Sequence, residues 1–206
     1  MWKDLSVQWQ IVLEETWEAF KNGCLPVGAA IFDDNGELIL REHNRSEEKE
    51  TVNSTIAHAE ANAIRRLDSH ADYDVRKIVL YTSMEPCPMC MGTAVMGNIK
   101  HLRYGARDSY CGAVHMMDTE SYMKGKKLDY TYVGGEIESY QIIIQSYCEL
   151  GQADSGSSVG VLNKFRESNP HEVEVAEKFF AEKTFDRFAK AGSKCEEVYD
   201  YVLSNV

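Results

Sequence analysis

Two short motifs constrain this chain more than any other feature. His58-Ala59-Glu60 and Pro86-Cys87-Pro88-Met89-Cys90 are separated by 25 residues, and each opens a stretch that reads as a helix. Cys87 and Cys90 stand at i, i+3, so both sulfurs can face one point beside a helix N-terminus. That end carries positive partial charge, which lowers a thiol pKa and favours the thiolate a metal requires. One His and two Cys make a nitrogen and sulfur ligand set suited to Zn²⁺, with the fourth tetrahedral position left open for water. A fold that uses both motifs must bring two helix starts to one place.

Glu60 fits the same site by a different role. In mid-helix, residues i and i+2 point about 200° apart, so His58 and Glu60 can share a centre only at a frayed first turn. His58 then meets the metal and Glu60 reaches water. Zinc lowers the pKa of water towards about 7, and a carboxylate within reach can take and redeliver the proton. A thioredoxin-like reading of the C-x-x-C fails, because no such fold precedes Cys87 and because His58 and Glu60 would go unused.

Periodicity supplies the frame around the motifs. Leu5, Trp9, Val12, Leu13, Trp17 and Phe20 predict a helix over 5–20. Residues 27–32 and 37–41 predict a hairpin closed by Asp33-Asp34-Asn35-Gly36, since an Asn-Gly pair suits a turn needing positive φ. Helices are expected over 55–67 and from Cys87 to about Met96, and strands over 77–82 and 101–104. The stretch 107–138 reads as irregular, and Ile142-Ile143-Ile144 as a buried strand because β-branched runs sit poorly in helices. Alternating strands and helices imply an α/β fold, a mixed central sheet with helices on both faces. Beyond residue 150 the character changes. Ser155-Gly156-Ser157-Ser158 is linker-like, and helices over 171–190 and 194–204 follow. The expected division is therefore a domain over 1–150 and a linker with a C-terminal helical extension over 151–206.

Composition sets the bounds. With 44% hydrophobic and 27% charged residues in 206, a disordered or low-complexity chain is excluded. No apolar run approaches membrane-spanning length, and the N-terminus lacks a basic segment followed by an apolar one, so a cytoplasmic protein is expected. Cys24, Cys111, Cys148 and Cys195 then read as buried or partly buried thiols. The net charge of −11 opposes a large nucleic-acid footprint, because such affinity comes largely from Lys and Arg.

The spacing H-x-E…P-C-x-x-C is the signature of zinc nucleobase deaminases. Over about residues 5–117 the chain resembles the cytidine deaminase-like superfamily, in the branch that holds guanine, dCMP and tRNA adenosine deaminases. Pro26-Val27-Gly28-Ala29, Asn44-Arg45 and Gly105-Ala106-Arg107-Asp108 are most similar to bacterial tRNA adenosine deaminases. Thr82 to Cys90 also resembles guanine deaminases, and His58 to Ile64 dCMP deaminases. The resemblance implies the three-layer cytidine deaminase-like fold, His58, Cys87 and Cys90 as Zn²⁺ ligands, and Glu60 as catalytic proton shuttle. It also implies Asn44, Ala59 and Glu85 as substrate contacts, with Asp108 near the ribose or outer pocket. A homodimer is implied as well, with the Met89–Met96 stretch around Gly92 at the contact.

One departure bears on substrate. Wobble-adenosine enzymes usually carry a basic C-terminal helix, whereas residues 166–206 hold six Lys/Arg against nine Asp/Glu. The expected activity is therefore hydrolytic removal of an exocyclic amine from a free purine base or nucleoside, with release of ammonia. A tRNA adenosine deaminase is the alternative, and a catalytically idle zinc-binding partner subunit a further one that Glu60 speaks against. The aromatic segment around Phe179, Phe180, Phe185 and Phe188 is expected to close over the pocket, and Tyr110 and His115 to lie at its outer part or on the surface.

Overall fold

The computed structural model describes residues 1–68, 73–152 and 155–206. Five strands form one mixed sheet in the order β2-β1-β3-β4-β5: β1 (Gly28–Phe32), β2 (Leu38–His43), β3 (Val79–Met84), β4 (His101–Ala106) and β5 (Asp129–Tyr132). β1 pairs antiparallel with β2 and β3, while β3, β4 and β5 run parallel. Every residue of β1 is buried, so both sheet faces must be covered. Ala29 and Ile31 join one core with Leu80, Leu102 and residues of α2 (Ala59–Arg65) and α3 (Pro88–Met96). Ala30 and Phe32, on the opposite face, join a second core with α1 (Val7–Lys21) and α6 (Glu136–Gly151). This is a three-layer architecture of the kind the sequence resemblance implies. Among the described residues, no helix is long and apolar enough to cross a membrane.

Several segments depart from expectation, each for a physical reason. Ile142, Ile143 and Ile144 lie in the middle of α6 and are fully buried. Successive helical residues point about 100° apart, and α6 is surrounded by protein: Ile142 enters the first core while Ile143 and Ile144 enter the second. Burial on all sides overrides their intrinsic preference for strand. The stretch 107–138 is ordered by two short helices, α4 (Met116–Thr119) and α5 (Ser121–Lys126), and by the edge strand β5, whose four residues are too few for a periodic signal.

The C-terminal segment holds four helices: α7 (Gly156–Ser168), α8 (Pro170–Ala181), α9 (Thr184–Ala191) and α10 (Cys195–Leu203). Ser155 is the N-cap of α7 and not part of a flexible run; Ala153 and Asp154 of the expected linker lie outside the described residues. The expected helix over 171–190 is split at Lys183, whose φ of 53° ends one helix and starts the next. Phe179 and Phe185 are fully buried in the second core with α1 and α6, so the aromatic segment does not cover the pocket.

Candidate metal centre

Both motifs sit where a chain segment turns into a helix. His58 is the N-cap of α2, with extended backbone at φ −71° and ψ 149°, and Cys87 is the N-cap of α3, at φ −70° and ψ 172°. The helix expected over 55–67 therefore begins only at Ala59, after a 3₁₀ turn at Ser54–Ile56. That break takes His58 off the helical spiral, so it and Glu60 can serve one centre. Asn62 ties the turn down by donating to the carbonyls of His43 and Ala57, both at 3.1 Å.

The ligand atoms converge. His58 Nδ1 lies 3.5 Å from Cys87 Sγ and 3.6 Å from Cys90 Sγ, and all three atoms fall within 4.8 Å of one another. Tetrahedral zinc with Zn–S of 2.3 Å and Zn–N of 2.0–2.1 Å sets an N···S edge of about 3.6 Å. The triad therefore fits zinc in both donor chemistry and spacing. The Cys87 thiol is held down to about 4 by its hydrogen bonds with Cys90 and His58, against the opposing effect of burial. Cys90 is pushed up by the same bond and by burial. Glu60 is 4% exposed, its Oε2 accepts from Cys90 Sγ at 3.4 Å, and burial raises its pKa.

A cavity of about 160 Å³ opens on this centre, close to the ~150 Å³ of an engineered cavity that takes a benzene ring. Asn44, Ala59, Glu85 and Asp108 all line it. Asn44 Oδ1 accepts from the Ser46 N–H at 2.9 Å, which orients its amide. Glu85 accepts the N–H groups of Val114 at 3.1 Å and Asp108 at 3.3 Å, and a Cβ at Gly112 would meet its carboxylate. Asp108 accepts from the N–H of Tyr110 and of Cys111 and from the Cys111 thiol. Glu85 and Asp108 thus shape the loop over 108–114 that walls the cavity. Cys111 is exposed, unlike buried Cys24 and Cys195 and partly buried Cys148. Tyr110 lines the cavity, while His115 is an exposed residue preceding α4.

The roof and far wall were not read from the sequence. Gln145 and Glu149 of α6 and Val161 of α7 complete the lining. α7 lies close because residue 160 is glycine: a Cβ there would meet the Tyr110 ring at 2.8 Å. Gln141, Gln145 and Glu149 recur every four residues, a helical signal hidden by treating 142–144 as a strand.

Fold and site together define an α/β metal-binding domain whose ligands come from two helix starts. Residues 3–106 match the cytidine and deoxycytidylate deaminase zinc-binding region, and the chain belongs to that family. It is similar to the tRNA-specific adenosine deaminase of Streptococcus pyogenes serotype M1, at 35% identity over 106 residues, covering 51% of this chain and 60% of that protein. The tRNA-specific adenosine deaminase of Rickettsia bellii is 38% identical over 109 residues, covering 50% of this chain and 70% of that one. The chain thus spans well under two thirds of the streptococcal protein. A solved structure from studies of A-to-I editing by tRNA:A34 deaminases superposes with a TM-score of 0.51 at 27% identity, covering 62% of this chain and 96% of that one.

Proposed function

We propose that the protein is a zinc-dependent hydrolytic deaminase that replaces the exocyclic amine of a purine base with oxygen, consuming water and releasing ammonia. Residues 1–150 carry the chemistry, and 151–206 are a helical extension. The observation that carries the reading is Glu60 buried within reach of the His58, Cys87 and Cys90 triad. His58, Cys87 and Cys90 would hold the zinc, which would supply activation of a water. Glu60 accepts a proton from that water, delivers it to a ring nitrogen, and assists departure of the amine as ammonia. Burial suits it to the exchange, because a raised pKa lets the carboxyl hold a proton closer to neutrality.

On the substrate, the relatives favour tRNA adenosine over the free purine expected from the sequence, since both are named tRNA-specific adenosine deaminases. A small purine is the second reading, favoured by α7 over the cavity and by the acidic segment 166–206. Ammonia release from guanine, adenine, their nucleosides and a tRNA anticodon stem-loop separates the two. Glu60→Gln should retain zinc and fold while losing about 10²–10⁴-fold in turnover. Near-normal turnover in that variant, or no ammonia from any purine with zinc-loaded protein, would remove the proposal.

A further inference from the structure

Most polar groups around the cavity already have a role. His58 and Cys87 serve the metal, Glu60 handles the proton, and Asn44, Glu85 and Asp108 hold the surrounding loops. Glu149 has none of these. With Gln141 and Gln145 it forms a ladder at i, i+4 and i+8 along one face of α6, and the three are 0%, 4% and 6% exposed in chain order. Gln141 Nε2 donates to the Pro26 carbonyl at 2.8 Å and to Gln145 Oε1 at 3.3 Å. Gln145 and buried Ser158 of α7 neighbour the Glu149 carboxyl and favour its ionised form against the rise that burial causes. Both neighbours are neutral, and among the described residues no cation pairs with Glu149. A buried carboxyl without a cation is costly, and an apolar residue of similar size would pack such a helix as well or better. This carboxyl is nonetheless oriented by two neighbours and lines the cavity shared with the metal centre.

We infer that Glu149, aimed by Gln145 and Ser158, is the specificity-determining acceptor of the site and takes a hydrogen bond from an unsubstituted ring N–H of the substrate. The inference rests on the deaminase reading in its second form, a small purine substrate. His58, Ala59, Glu60 and Cys87 line the cavity at the metal ligands, and Gln145, Glu149 and Val161 line it from α6 and α7. A purine whose amine lies at the metal extends its imidazole ring across the cavity, where a free base carries an N–H. In a nucleoside or a nucleic acid the same ring carries the sugar, and α7 already lines the cavity through Val161.

The test uses zinc-loaded full-length protein and compares guanine and adenine with their 9-methyl derivatives. Wild type should prefer a free base over its 9-methyl derivative by about a hundredfold or more in kcat/KM, because a site built around a hydrogen bond rejects analogues that lack it. Glu149→Gln should lose at least about tenfold of that preference, chiefly through KM, with zinc content unchanged. A wild type that deaminates a purine while Glu149→Gln keeps the same preference overturns the inference and leaves the deaminase reading standing. Equal use of 9-methyl bases, or preference for an anticodon stem-loop, overturns it as well. Should Glu149→Gln not fold, thermal stabilisation of wild type by hypoxanthine against 9-methylhypoxanthine decides, and equal shifts refute it. If no purine releases ammonia, the deaminase reading falls and the inference with it.

Discussion

Phe185→Ala tests whether the C-terminal helices belong to the same folding unit as the metal centre. Phe185 is fully buried, and its ring meets Tyr147 of α6 at 5.0 Å, Phe20 of α1 at 5.6 Å, Phe179 of α8 at 6.0 Å and Trp17 of α1 at 6.3 Å. Truncating a buried Phe costs about 3–5 kcal/mol, more where neighbours cannot collapse into the space. Four rings from three separate helices cannot all shift inward, so the expected cost is about 4–5 kcal/mol. A chain of this size should show an m-value of about 2–3 kcal/mol per M in urea, which places the midpoint about 2 M below wild type. Urea titrations followed by tryptophan fluorescence and by far-UV circular dichroism should coincide in one transition for both proteins. A shift under about 0.5 M, or two transitions of which only one moves, would refute a shared core.

Cys87→Ala and Cys90→Ala should each lose zinc on purification, and metal analysis finding about one zinc per chain in both variants would dismiss the ligand assignment. His43 is buried between Glu15 and Glu48, each carboxylate 2.7 Å from a ring nitrogen, with Arg41, Arg45 and Asn22 also at the cluster. Burial pulls the His43 pKa down, but the two carboxylate hydrogen bonds outweigh it and leave the value raised above 6.5. Its stabilisation is therefore fully present below about 6.5 and lost as pH rises through the raised value. Glu15 and Glu48 are lowered from 4.5, so their contribution is lost on acidification. Thermal unfolding between pH 6 and 9 should fall more steeply for wild type than for His43→Gln, and parallel curves would contradict the linkage. Light scattering should show a dimer, with the exposed Met96 face of α3 at the contact, and Met96→Glu should shift it towards monomer; a wild-type monomer would end that proposal.

The convergence of His58, Cys87, Cys90 and Glu60 was legible in the chain because their spacing encodes local geometry: an N-cap and the first turn of a helix fix where those side chains point. The sheet was legible where strands alternate or end in an Asn-Gly turn. α6 was not, because three consecutive isoleucines satisfy a buried strand locally and only the burial of every helical face distinguishes the two. That one misreading hid the cavity wall, since Gln141, Gln145 and Glu149 share a face only in a helix. The roof was hidden for another reason. Gly160 has meaning only beside Tyr110, fifty positions earlier, and no window along the chain contains both.

The second core also has a consequence for synthesis. α1 leaves the ribosome well before some of its partners: the Trp17 indole donates to the Ser193 carbonyl, the Cys195 thiol to the Leu13 carbonyl, and the Trp2 N–H to Asp200. At about 5–20 residues per second, these contacts wait on the order of ten seconds or more after α1 emerges. During that interval Trp17 lacks the Phe185 and Ser193 contacts that finish its cover, although Trp9 already has Tyr81 beside it. This part of the core should thus close late on the nascent chain, once α10 can pack on α1.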